Sequence, residues 1–178
     1  AGDAFLAEFA GFSSRDAAAE YTGLAEGSVD LIVAGQAFHW FDREKAKREF
    51  ARILAPGGGV ALIWNERDIG ASAFQAAYET LAKKYAEDYT QVDHRRMTPE
   101  VIGAFFAPAA VTVFTHPYAQ QFDFAALRGR LLSSSYSPAA DDPRRSAMLA
   151  ELEQLFAAHQ REGSVTFDYV TKIYAGRW

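Results

Sequence analysis

Val29-Asp-Leu-Ile-Val-Ala34 is almost continuously apolar and follows the turn-forming Glu26-Gly27-Ser28. Such runs, buried on both faces, characterise central strands of parallel sheets. Asp42 then predicts the cap of a helix over Arg43 to Leu54, whose Ala46, Phe50, Ile53 and Leu54 form one apolar stripe. Pro56-Gly57-Gly58-Gly59 stops that helix as a C-cap and tight turn, and Val60 to Trp64 is a second apolar run. Strand, helix, glycine turn and strand make one βαβ unit, with parallel strands and a right-handed crossover.

The flanking pattern adds further elements. Phe5, Leu6 and Phe9 stand at helical spacing before Gly11, and Phe12 to Arg15 suggests a short strand. Helices are predicted over 72–85, from Pro99 to Phe106, from Asp123 to Leu132 and from Pro143 to His159. Val111 to Tyr118 and Val165 to Ala175 alternate apolar with polar residues, as strands with one solvated face do. The fold class is α/β: a Rossmann-like, mostly parallel sheet with an antiparallel edge strand and helices on both faces.

Composition narrows the function. A chain of 178 residues suits one domain with a real core. The net charge of −5 and the lack of a basic stripe argue against a nucleic-acid partner. The densest basic stretch, Arg43 to Arg52, is interleaved with Glu44 and Glu49. With no cysteine, disulfides, thiolate metal sites and cysteine nucleophiles are excluded. The sequence has no apolar run near the roughly 20 residues that span a bilayer and no signal-peptide pattern, so a cytoplasmic protein without a membrane partner is expected. His94 and His116 lack a second ligand at metal spacing, and no metal site is assigned.

In open α/β sheets, ligands bind outside the carboxyl ends of the strands. Gly35 to Phe41 and Asn65 to Asp68 occupy those positions and concentrate polar and aromatic residues. His39 is the candidate base or site-lining residue, with Trp40 and Phe41 open to either a substrate contact or a core role. Gln36, directly after a buried strand, must find a polar partner. Asn65, Glu66 and Asp68 compete for the second loop's role. Arg128, Arg130 and Tyr136 sit on a predicted helix and loop above the pocket, where an arginine serves either surface ion pairs or an anionic substrate.

Ser28-Val29-Asp30-Leu31-Ile32, Gln36-Ala37-Phe38-His39-Trp40-Phe41 and Leu54-Ala55-Pro56-Gly57-Gly58, in that order, resemble the middle of class I S-adenosylmethionine-dependent methyltransferases. The nearest branch is similar to the trans-aconitate methyltransferase type (methyltransferase type 11). Val165 to Arg177 resembles that branch's final strand, and Leu131 to Ser137 its substrate-side helical insertion. The resemblance implies transfer of a methyl group from S-adenosylmethionine to a small-molecule acceptor. It implies cofactor contacts at Ala18, Ala19, Glu20, Gly35 and Gln36, and substrate contacts at Trp40, Phe41, Asn65, Arg130 and Tyr136. At Ala18 the family often has Asp, with Asp16 a displaced stand-in.

The family's opening strand with its G-x-G-x-G loop, and the second strand ending in an acidic residue, have no counterpart in these residues. The chain is therefore expected to begin inside the following helix, as a domain truncated at its N-terminus. In this scheme residues 1–178 form one partial domain, with 1–68 as the cofactor-side core. Residues 69–110 and 123–160 are then substrate-side helices, and 111–122 and 163–178 the last strands. Such a fragment is expected to be inactive and to bind cofactor poorly. The alternatives are a non-catalytic interaction module, forming a homodimer through an exposed strand edge, and a dehydrogenase-type nucleotide-binding domain.

Overall fold

The computed structural model of the chain describes residues 9–86, 97–134 and 137–178. Its strands β1 (Val29–Gly35), β2 (Leu54–Arg67), β3 (Thr112–Phe122) and β4 (Val165–Arg177) form one sheet in the order β1-β2-β4-β3. The helices are α1 (Arg43–Ile53), α2 (Ala73–Tyr85), α3 (Pro99–Phe106), α4 (Phe124–Leu132) and α5 (Arg144–His159), and a short 3-10 turn spans Phe38–Trp40. Asp42, Ser72, Thr98 and Asp123 each accept a backbone N–H in the first turn of their helices, which fixes where α1 to α4 begin.

β1 and β2 are parallel, with Ile32 opposite Val60 and Gly35 opposite Ile63. β4 runs antiparallel to β2, from Gly59 opposite Arg177 to Arg67 opposite Tyr169, and antiparallel to β3, from Thr112 opposite Ala175 to Phe122 opposite Val165. β1, β2 and β3 therefore all finish at one rim, where β4 starts.

Alternation along the strands assigns the two faces. Ala34, Val60, Leu62, Trp64 and Tyr174 are buried with Ala46 and Phe50 of α1 and Ile102, Phe105 and Phe106 of α3. Val165, Phe167 and Tyr169 point to the other face, where Tyr78, Leu127 and Met148 bring α2, α4 and α5 over the rim end. Further from that rim, the second face leaves Leu31, Val33 and Phe114 exposed.

Some expectations need correction. Residues 12–15 form no strand; Arg15 instead donates to the carbonyls of Thr22 and Gly23, at 3.3 and 2.7 Å, which holds the segment as a loop. Gly57 to Gly59 are no helix cap, because α1 ends on Leu54 in an extended conformation. They lie within β2, where Val29 pairs with Leu54 but Leu31 with Gly59, so the extra β2 residues loop out through Gly57 at φ 80°. β3 continues to Phe122 because Gln120 and Gln121 pair with β4. The predicted helix before Gly11 lies almost wholly outside the described residues, as does His94. α3, grouped in sequence with the substrate-side helices, packs beside α1.

Candidate active site

Gly35 and Gln36 leave β1 at the rim. Gln36 takes a left-handed backbone conformation, φ 54°, rare for a residue with a side chain. That turn keeps its N–H on the carbonyl of Ile63 at 2.9 Å and directs its Nε2 to the carbonyl of Asn65 at 3.3 Å. Asn65 in turn accepts, through Oδ1, the Oγ1 hydroxyl of Thr171 at 2.6 Å. The ends of the two parallel strands are thus joined through polar groups, and β4 is tied to them. Gly35, Gln36 and Asn65 are exposed, and a Cβ placed on Gly35 would meet no atom within 4 Å. A ligand can approach the backbone there.

The 3-10 turn is pinned by Phe38, which is fully buried and meets the rings of Phe105 and Trp64 edge-on at 4.6 and 6.2 Å. This anchoring leaves His39 half-buried, its Nδ1 inside and its ring 4.7 Å from that of Trp40. Trp40 projects outward, 62% exposed. Phe41 turns inward, edge-on to Phe38 and Phe50 at 5.8 and 6.2 Å, so its place is the core side of the loop.

Ala18 to Glu20 reach the same region through a turn closed by Tyr21 N–H on the Ala18 carbonyl, at 3.1 Å. Glu20 Oε1 accepts the N–H of Asp42 at 2.7 Å and docks the turn on the start of α1. Ala19 packs against the core while Ala18 and Asp16 are exposed. Behind them, Glu49 accepts both the N–H and the hydroxyl of Thr22, at 2.9 and 2.6 Å, and is clasped by Arg52. The hydrogen bonds from Arg52, then those from Thr22, lower the Glu49 carboxyl to about 2.

Arg130 stands apart from these loops. Its guanidinium lies over the rings of Phe122, Phe167 and Tyr169, at 5.8, 5.2 and 5.5 Å. Tyr136 lies outside the described residues.

Sequence reasoning missed Thr171 and a buried network past the end of β2. Arg67 Nη2 meets Glu79 Oε2 at 2.9 Å, Lys83 meets Glu79 Oε1 at 3.2 Å, and Gln75 Nε2 donates to Asp168 at 3.2 Å. Gln75 and Glu79 share a helix face with buried Tyr78 and Ala82, and polar residues on an apolar face are the signal that would have exposed them. Glu66 pairs with Lys172 at 2.6 Å, and that contact raises the lysine's pKa.

Cavities of about 580, 510 and 410 Å³ lie near Ser72 and Val165, between α2 and α5, and along the β3–β4 pair. None of these three is lined by Gln36, His39 or Asn65. Among the described residues no group of three His, Asp or Glu side chains could hold a metal, and no helix is long and apolar enough to cross a membrane.

A family model described as a methyltransferase domain matches residues 4–62. An uncharacterised methyltransferase of Schizosaccharomyces pombe is 28% identical over 177 residues, covering 97% of this chain and 68% of the relative. An uncharacterised methyltransferase of Mycobacterium bovis is 48% identical over 50 residues, 28% of this chain and 21% of its own length. In fold, the chain is similar to a putative type II methyltransferase from Anaeromyxobacter dehalogenans, with a TM-score of 0.59 and 24% identity over 90% of this chain and 69% of that one. Residues 4–62 thus resemble a methyltransferase domain, and the chain as a whole is similar in sequence and fold to methyltransferases of the S-adenosylmethionine-dependent kind.

Proposed function

We propose that this chain serves the transfer of a methyl group from S-adenosylmethionine to a small-molecule acceptor. The observation that carries this reading is the hydrogen bond from Gln36 to the Asn65 carbonyl, which joins the carboxyl ends of adjacent parallel strands into one wall. The residues fit one side of the cofactor. Gly35 leaves room for a ligand against its backbone, and the 18–20 turn stands on the start of α1 next to the 3-10 turn. The G-x-G-x-G donors for its methionine end are not in these 178 residues.

When bound, S-adenosylmethionine supplies an activated methyl group that leaves neutral sulfur behind. The chain's own residues then have to orient the acceptor and exclude water. Gln36 and Asn65 would position polar groups of the ligands, and Trp40 would cover them. His39 would line the site and take a proton from a hydroxyl or amine acceptor. Phe41 would hold the loop from inside. Residues 1–68 would serve the cofactor and 123–160 the acceptor, in a cytoplasmic protein.

A second reading is favoured by β1, the outer strand of the sheet, whose Leu31 and Val33 are 57% and 54% exposed on one face. An apolar strand edge pairs readily with another chain, so these 178 residues alone would form a homodimer through β1, seen as a two-fold mass in analytical ultracentrifugation.

The primary reading is tested by nuclear magnetic resonance titration with S-adenosylhomocysteine. The amides of Gly35 and Gln36 should shift, with an affinity weaker than micromolar because the glycine-loop donors are absent. Unmoved signals at both residues under saturating ligand would defeat it.

A further inference from the structure

Gln36 and Asn65 each commit one half of a side-chain amide to the fold, and the chemistry of the partner fixes which half. Gln36 bonds to the main-chain carbonyl of Asn65 at 3.3 Å. A carbonyl only accepts, so the NH2 group of Gln36 faces inward and its Oε1 faces out. Asn65 meets Oγ1 of Thr171 at 2.6 Å. That separation is ordinary for O–H···O and too short for N–H···O, so Oδ1 faces the threonine and Nδ2 faces out. Neither outward atom has a partner among the described residues, and both residues are exposed. The rim therefore presents an acceptor and a donor side by side, from neighbouring strands roughly 5 Å apart.

The pair is held in place, and there is room beside it. Gln36 keeps a left-handed φ of 54°, which a residue with a side chain retains only where its surroundings impose it. Gly35 and Asn65 lie on the same face of the sheet, opposite to buried Ala34, Leu62 and Trp64. A Cβ on Gly35 would meet nothing within 4 Å, so a planar group can lie there beside the Asn65 amide. The charged side chains that follow on β2 are engaged elsewhere: Glu66 with Lys172 at 2.6 Å, on the other face, and Arg67 with Glu79 at 2.9 Å. Neither offers a free charge to a ligand at Asn65.

We propose that this rim recognises an uncharged carboxamide or lactam on the methyl acceptor, whose N–H donates to Gln36 Oε1 while its carbonyl accepts from Asn65 Nδ2. Thr171 is the positioning residue that sets the polarity of Asn65. A carboxylate would turn lone pairs toward Gln36 Oε1, and an ammonium would leave Asn65 Nδ2 without an acceptor, so the pair selects against both ions. The role in acceptor recognition rests on the methyl-transfer reading; amide binding by Gln36 and Asn65 does not need it.

The test uses the 178-residue chain, with benzamide as the probe and benzoate and benzylamine as its charged counterparts, followed by nuclear magnetic resonance. Benzamide should shift the Asn65 side-chain NH2 and the Gly35 amide resonances, and both ions should bind about tenfold more weakly. Asn65→Asp keeps the shape and the Thr171 contact but turns the outward donor into an acceptor. It should lose benzamide affinity about tenfold and gain affinity for benzylamine. Thr171→Val should weaken benzamide binding, and Thr171→Ser, which keeps the hydroxyl, should restore it. Unmoved Asn65 side-chain signals under saturating benzamide, benzoate binding as tight as benzamide, or native selectivity in Asn65→Asp or Thr171→Val would overturn the proposal. If Gly35 and Gln36 ignore S-adenosylhomocysteine while benzamide binds with this selectivity, methyl transfer fails and the amide site stands. The reverse result removes the amide site alone.

Discussion

Gln36 reaches across the rim to donate its Nε2 to the backbone carbonyl of Asn65, 3.3 Å away, and does so from a backbone φ of 54°. The contact and the conformation oppose one another energetically. A left-handed residue with a Cβ costs roughly 1–2 kcal/mol, and an exposed neutral hydrogen bond returns about 1 kcal/mol or less. Gln36→Gly removes both, whereas Gln36→Ala keeps the cost and loses the bond. The glycine variant should therefore be more stable than the alanine variant by about 1 kcal/mol in urea unfolding. The reverse order would mean that residue 36 does not hold this conformation.

Glu49 fastens the 20–24 segment to α1, and acid should release it. Its folded carboxyl lies at about 2, below the ordinary 4.5, chiefly because of Arg52 and then Thr22. A depressed carboxyl stabilises the fold fully above the ordinary value and loses that contribution as pH falls from 4.5 toward 2. Arg52 is partly exposed, which discounts the stability its contact adds, and the two hydrogen bonds from Thr22 contribute beside it. Glu49→Gln should cost about 1–2 kcal/mol at neutral pH. Melting curves of the two proteins should converge as pH drops through that window, and a constant gap would show that the carboxylate's charge is irrelevant.

The part of this fold that sequence discloses is the part set by near neighbours. The apolar runs at 29–34 and 60–64, with a capped amphipathic helix between, predict the βαβ unit that forms, but β1 is the edge strand with Leu31 and Val33 exposed, not the central strand buried on both faces that its apolar run suggests. The placing of 35–41 and 65–68 at one rim follows from that topology alone. Thr171 was not legible, because it meets Asn65 only after β4 inserts between β2 and β3. The same insertion builds the ring cage under Arg130 from residues far apart in sequence. Ala119 to Gln121 hid the end of β3, since an edge strand takes its length from its partner and not from its own side chains.

Glycines at two positions should respond to alanine in opposite directions. A Cβ at Gly176 would stand 2.7 Å from the Ala110 carbonyl and 2.8 Å from Cδ1 of Phe106, whose ring is buried. Gly176→Ala should cost about 1–3 kcal/mol through overpacking. Gly103 is in α3 with nothing within 4 Å of that position. Gly103→Ala should add about 0.5–1 kcal/mol by helix propensity. Thermal denaturation of the two variants beside the parent checks both signs at once.

Trp40 offers an optical report on the rim. Trp64 is 2% exposed beneath α1, and Trp178 lies tilted to Phe105 and edge-on to Phe106 at 5.2 and 5.8 Å, while Trp40 is 62% exposed next to His39. Iodide, a charged quencher that stays in water, should therefore act mainly on Trp40. Trp40→Phe should remove most of the iodide-quenchable emission with little loss of stability, because surface aromatics away from packed contacts contribute about 0.5 kcal/mol or less. S-adenosylhomocysteine should shield the native Trp40 from iodide if the rim receives a ligand. Quenching that survives in Trp40→Phe would place the accessible indole elsewhere, and the loop would then not present the ring to solvent.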